Sequence, residues 1–153
     1  MRERLSLADE LKYLRGSPQN LLFEGASGEE IEETEELIGK KLPQSFKFFL
    51  QASNGACLYQ TETILGTKDS ADPENEGFQI SLARIKEVMN LPDYLVPFYI
   101  SSDIHFFDTR EEINGEYKVI SFNENSGEVS LVAESFTQWL NEYILKEFET
   151  GTF

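Results

Sequence analysis

The chain has 153 residues, 40% of them hydrophobic, which suits one domain over 1–153 with a substantial core and is too short for two. Twenty-eight acidic residues against 13 basic ones give a formal charge of -15, which argues against direct binding of nucleic acid or an anionic membrane and favours a basic protein partner. The single cysteine, Cys57, rules out an intrachain disulfide; with no secretory leader pattern and no apolar run of about 20 residues, a cytoplasmic location without a membrane span is expected.

Leu5, Leu7, Leu11 and Leu14 are spaced by charges and predict a short amphipathic helix over Met1 to Arg15, closed by Gly16 and Pro18. A brief apolar run from Asn20 to Glu24 follows. Ser27, with Glu30 three residues on, reads as a capping box that starts a second helix near Gly28. On that helix Ile31, Thr34 and Ile38 share a stripe, while Glu29, Glu32, Glu33 and Glu36 point to solvent. Gly39 is its stop. Leu42-Pro43 lets the chain bend and restart as a helix presenting Phe46, Phe49 and Leu50 to a core, and Asn54-Gly55 supplies a left-handed end.

Beyond Gly55 the pattern becomes strand-like. ACLYQ and TETILG predict a hairpin, and Lys68 to Gly77 an acidic loop. Asp72, Glu74 and Glu76 alternate there before Gly77 as in a calcium loop, but Ala83 stands where the closing glutamate belongs, so no metal is expected. Leu82, Ile85, Val88 and Met89 mark a short helix. PFYIS, HFFDT, YKVIS and EVSLVA then read as strands, with Asn114-Gly115 and Asn123 to Gly127 as turns, which implies an antiparallel meander. A second capping box, Ser135 with Gln138, opens a closing helix whose stripe is Phe136, Trp139, Leu140, Tyr143 and Ile144. The fold class is therefore α+β, a mostly antiparallel sheet with helices packed against it.

Groups suited to catalysis are few. There is one histidine, His105, read as decorating a strand face, and one cysteine, read as a small buried residue. A Cys57–His105 dyad would need the two within hydrogen-bond reach. Neither a glycine-rich phosphate loop nor clustered Cys and His is present. No enzyme, cofactor or metal is expected, and binding takes precedence over catalysis. The acids that best suit a partner-binding surface are Asp69, Asp72, Glu74 and Glu76 in the acidic loop, with Asp103, Asp108, Glu111 and Glu112 around the strand that holds His105.

The order Ile31, Glu35, Ile38-Gly39, Leu42-Pro43, the aromatic helix through Phe46 and Phe49, and Asn54-Gly55 resembles the signature of the SUKH superfamily, which includes Smi/Knr-type regulators of fungal cell-wall synthesis and bacterial immunity proteins. VPFYISSD at Val96 to Asp103, FFDT at Phe106 to Thr109 and SFTQWL at Ser135 to Leu140 extend the likeness. The resemblance implies an immunity protein that occludes a toxin, often a nuclease, encoded nearby, or else an adaptor of the cell-wall-regulator type. It implies that Glu35, Leu42, Pro43 and Gly55 determine the fold.

Overall fold

The computed structural model describes residues 7–16, 20–58, 62–67, 83–87, 90–101, 103–123 and 125–145. Among these residues seven strands form one sheet in which each is antiparallel to the next in sequence: β1 (Leu21–Leu22), β2 (Ala56–Leu58), β3 (Glu62–Ile64), β4 (Leu95–Ile100), β5 (Ile104–Ile113), β6 (Glu116–Asn123) and β7 (Glu128–Ala133). The expected hairpin and meander are both present. Helices α1 (Leu7–Arg15), α2 (Gly28–Ile38), α3 (Gln44–Ala52) and α4 (Phe136–Trp139) contribute the rest, and α4 widens into a π-helix over Leu140–Leu145. Residues 83–87 are helical within the expected short helix, with Ile85 buried. No helix among the described residues is long and apolar enough to cross a membrane.

Local signals account for most element ends. The Ser27 hydroxyl accepts from the Glu30 N–H at 3.1 Å while the Glu30 carboxylate accepts from the Ser27 N–H at 3.0 Å, closing the box. Gly39 takes φ +79°, and its N–H donates to the Glu35 carbonyl. Asn114 and Gly115 both have positive φ, 52° and 80°, as a two-residue hairpin turn requires. At Asn54-Gly55 only Gly55 is left-handed, because Asn54 is a staple instead: its side chain accepts from the Thr67 N–H at 2.7 Å and donates to the Thr67 hydroxyl. The second capping box is displaced by one residue. The Ser135 hydroxyl caps the Gln138 N–H, but the Gln138 side chain accepts from the Glu134 N–H rather than from Ser135.

The sheet carries apolar side chains on both faces. Against the helices lies the main core, where Phe98 and Phe107 stack across β4 and β5 with centroids 4.1 Å apart. Phe46 from α3 meets both edge-on, at 5.9 and 5.2 Å, and Phe136 from α4 at 5.1 Å. Such pairs add to the burial of the rings because their quadrupoles are offset. The opposite face holds a smaller cluster of Leu95, Phe106 and Ile120, with Ile104, Phe122 and Val129 packed against it.

His105 does not decorate a surface. It is buried in the main core, its ring 5.0 Å from Tyr99, and its Nδ1 accepts a 2.9 Å hydrogen bond from the Trp139 indole N–H. Burial pushes its pKa down to about 4, with the charge of Asp103 acting weakly in the other direction. It is the neutral imidazole that fits here, because a protonated Nδ1 cannot accept. Nearby, the Tyr99 hydroxyl donates to the buried Glu62 carboxylate. Cys57 lies on β2, with β3 and β4 between it and β5, so roughly 14 Å of sheet separates it laterally from His105. The two form no dyad.

Candidate protein-docking surface

The structure fixes one exposed corner with unusual care. The α2–α3 turn is held by Glu35, whose carboxylate accepts the Leu42 N–H at 2.7 Å and lies 3.8 Å from the Lys47 ammonium. Helix α3 starts at Pro43, which has no side-chain donor or acceptor to cap it. Its cap comes instead from the β5–β6 hairpin. The Glu116 carboxylate accepts from the Ser45 N–H at 2.9 Å and from the Ser45 hydroxyl at 2.6 Å, and the Gly115 carbonyl accepts from the Gln44 N–H at 2.9 Å. A carboxylate at this end also suits the positive pole of the helix. Replacing Glu116 by Ala is expected to cost about 1–2 kcal/mol, read as a lower urea midpoint at unchanged slope; an unmoved midpoint would show that the cap contributes nothing.

That hairpin is long because β5 bulges. Asp108 pairs with Lys118 and Ile113 with Glu116, leaving Thr109, Arg110, Glu111 and Glu112 against Tyr117 alone. The bulge is pinned on its β4 side, where the Thr109 N–H and hydroxyl both donate to the Tyr94 carbonyl, at 2.9 and 2.8 Å. Arg110 lies 4.2 Å over the Tyr94 ring and reaches back to Asp108 at 2.7 Å. Those hydrogen bonds hold the Asp108 carboxyl below its usual range.

The acids singled out from sequence therefore separate. Asp108 is buried and occupied by Arg110, and Asp103 is exposed at the β4–β5 turn, roughly 25 Å along β5 from Glu111. Glu111 and Glu112 are exposed on the bulge. Together with Glu35, Glu112 raises the pKa of Tyr117, after the larger effect of burial, which places Tyr117 in the field of both. Asp69, Asp72, Glu74 and Glu76 lie outside the described residues.

Two apolar side chains share this corner and escaped the reading of the sequence. Ile113, 50% exposed, pairs directly with Glu116 and so projects from the hairpin face that meets α3. Phe48, 48% exposed, lies one turn along α3 from Gln44, whose side chain packs under Gly115. A signal for Phe48 existed: it falls off the stripe of Phe46, Phe49 and Leu50, which a core cannot claim at helical spacing. The result is an exposed aromatic group on α3 and an exposed aliphatic group on a hairpin that also exposes Glu111 and Glu112, the two elements being clamped by three hydrogen bonds. Rigid apolar anchors with a charged rim are what protein interfaces use.

The model of the SMI1 / KNR4 family (SUKH-1) matches residues 25–142. The chain belongs to this family. The match runs from the segment leading into α2 to the π-helix, and so takes in the whole of the clamped corner of this SUKH domain. Within that span Glu35 and Leu42-Pro43 make the α2–α3 turn and Gly55 the left-handed step into β2, the structural positions expected of fold determinants.

Proposed function

We propose that this SUKH chain is an immunity-type protein that neutralises a basic protein toxin by stoichiometric binding, without catalysis, and that it docks through the corner formed by α3 and the β5–β6 hairpin. The observation that carries the reading is the exposure of Phe48 and Ile113 on two elements clamped to one another, with Glu111 and Glu112 exposed on the same hairpin, in a chain whose formal charge is -15. The acids accelerate encounter with a basic cleft, such as one shaped to hold phosphates in a nuclease, and the apolar pair slows departure from it. An adaptor of the cell-wall-regulator type would share the family and the fold. It would have no toxin to neutralise.

Co-expression with each toxin-like product encoded beside the gene decides between them, by rescue of growth and a co-purifying complex. Failure with every neighbour would favour the adaptor. In a complex, the double variant Glu111→Lys, Glu112→Lys is expected to slow association about tenfold at low salt and to flatten its salt dependence. Phe48→Ala is expected to raise the dissociation rate by about thirtyfold, the cost of losing an interface anchor of about 2 kcal/mol. Unchanged rates in both variants would remove this corner from the interface.

A further inference from the structure

The sheet ends differently on its two sides. At one edge β1 has two residues, too few to template another strand. At the other, β7 has six, Glu-Val-Ser-Leu-Val-Ala, with no Lys, Arg or Pro among them, and among the described residues only β6 pairs with it. From Glu128 to Leu131 it runs in unbroken register with β6, and the irregularity comes later, where Val132 has no partner between Leu131 and Ala133. So, among the described residues, no strand covers these four on the side away from β6.

Side chains sharpen the point. On the face away from the helices, Phe106 pairs with Ile120 and Ile120 with Leu131, making one apolar row across three strands. Phe122 and Val129 form a parallel row beside it. Both rows run off the end of the sheet, and Leu131, at 57%, is the most exposed of the large hydrophobic side chains described. One more strand would continue both rows and satisfy the outward backbone groups together.

We propose that the outer edge of β7 is a strand-addition site for an extended, basic segment of a partner protein, with alternate apolar side chains seated against Val129 and Leu131. Exposed carboxylates at both ends of the strand, Glu128 and Glu134, select the sign of the flanking charges. A second copy of the chain would bring a second charge of -15 to the same edge, which disfavours self-pairing. The basic character of the occupant rests on the proposed function; the strand geometry does not.

The test uses the full chain and a synthetic nine-residue peptide of alternating valine and threonine flanked by two lysines at each end. Backbone amide shifts on titration should concentrate on Glu128 to Leu131. Binding should weaken about tenfold or more with Leu131→Lys, and equally when two central residues of the peptide are replaced by proline, which keeps the charge and removes backbone donors. Leu131 is exposed, so its variant should melt with wild type. No shifts at millimolar peptide, shifts elsewhere, or equal binding of the proline peptide would overturn the proposal. So would a wild-type dimer in sedimentation that Leu131→Lys dissociates, because the occupant would then be a second copy. Growth rescue, scored separately, tests the toxin reading, and the peptide result stands whichever way that falls.

Discussion

Replacing Gly25 with Ala is expected to lower stability by about 3 kcal/mol or more, seen as a melting temperature roughly 10 °C lower. Residues 24–26 run against the end of α3, tied by the Ala26 N–H to the Leu50 carbonyl at 2.7 Å and by the Asn54 N–H to the Glu24 carbonyl at 2.9 Å. A methyl group on Gly25 would sit 1.8 Å from the Gln51 carbonyl oxygen, and that atom is backbone, so no rotamer change relieves it. The segment would have to peel from α3 and give up at least one of those hydrogen bonds. Gly115→Ala is the informative comparison. There the close atoms belong to the flexible Gln44 side chain, so relief is easier, although φ +80° adds a backbone cost of about 1 kcal/mol. A Gly25→Ala protein melting within about 2 °C of wild type would mean that this close approach is not maintained in solution.

Acid should weaken the core through His105. Its pKa is about 4 in the fold against an ordinary 6.5, so between those values the unfolded chain holds a proton that the folded chain refuses. Stability therefore falls as the pH drops through 6.5, and by pH 4 the loss from this one residue is about 3 kcal/mol. The general charge effect has the opposite sign, since acidification relieves the repulsion within a chain of charge -15. A variant that does not titrate separates the two. His105→Asn keeps an acceptor for the Trp139 indole N–H, and its stability deficit relative to wild type, measured by urea unfolding, should shrink by about 3 kcal/mol from pH 7 to pH 4. A deficit that stays constant would mean that His105 is as easily protonated in the fold as outside it.

What the sequence made legible was what short-range chemistry decides. Ser27 with Glu30, Gly39, Leu42-Pro43 and Asn114-Gly115 each act within a few residues, and each ends or turns an element where its chemistry predicts. The strands followed because alternation and turn spacing are local as well. Features that depend on distant partners were not legible. Nothing near Pro43 reveals that the cap of α3 is Glu116, 71 residues beyond the Ser45 it caps, nor does the run IHFFDT show that His105 meets Trp139, 34 residues on. Asp108 read as part of a partner-binding surface because its neighbours in sequence do not show that it is buried, although Arg110, two residues on and so on the same face of β5, was placed to occupy it. The docking corner depends on that same distant cap, which joins the elements bearing Phe48 and Ile113, and only Phe48, off the apolar stripe of its helix, left a local sign of its exposure.

The borrowed cap on α3 bears on how the chain is made. A ribosome releases α3 well before the hairpin that carries Gly115 and Glu116, and meanwhile the helix has free N–H groups at its start and nothing local to satisfy them. Its aromatic face is in the same position, since Phe98, Phe107 and Phe136 all emerge later. The nascent protein therefore carries an uncapped, apolar segment until β4, β5, β6 and then α4 with Phe136 have emerged. Folding dominated by such distant pairings is slow, and during that interval the segment around Phe46 and Phe49 is the natural client for a chaperone.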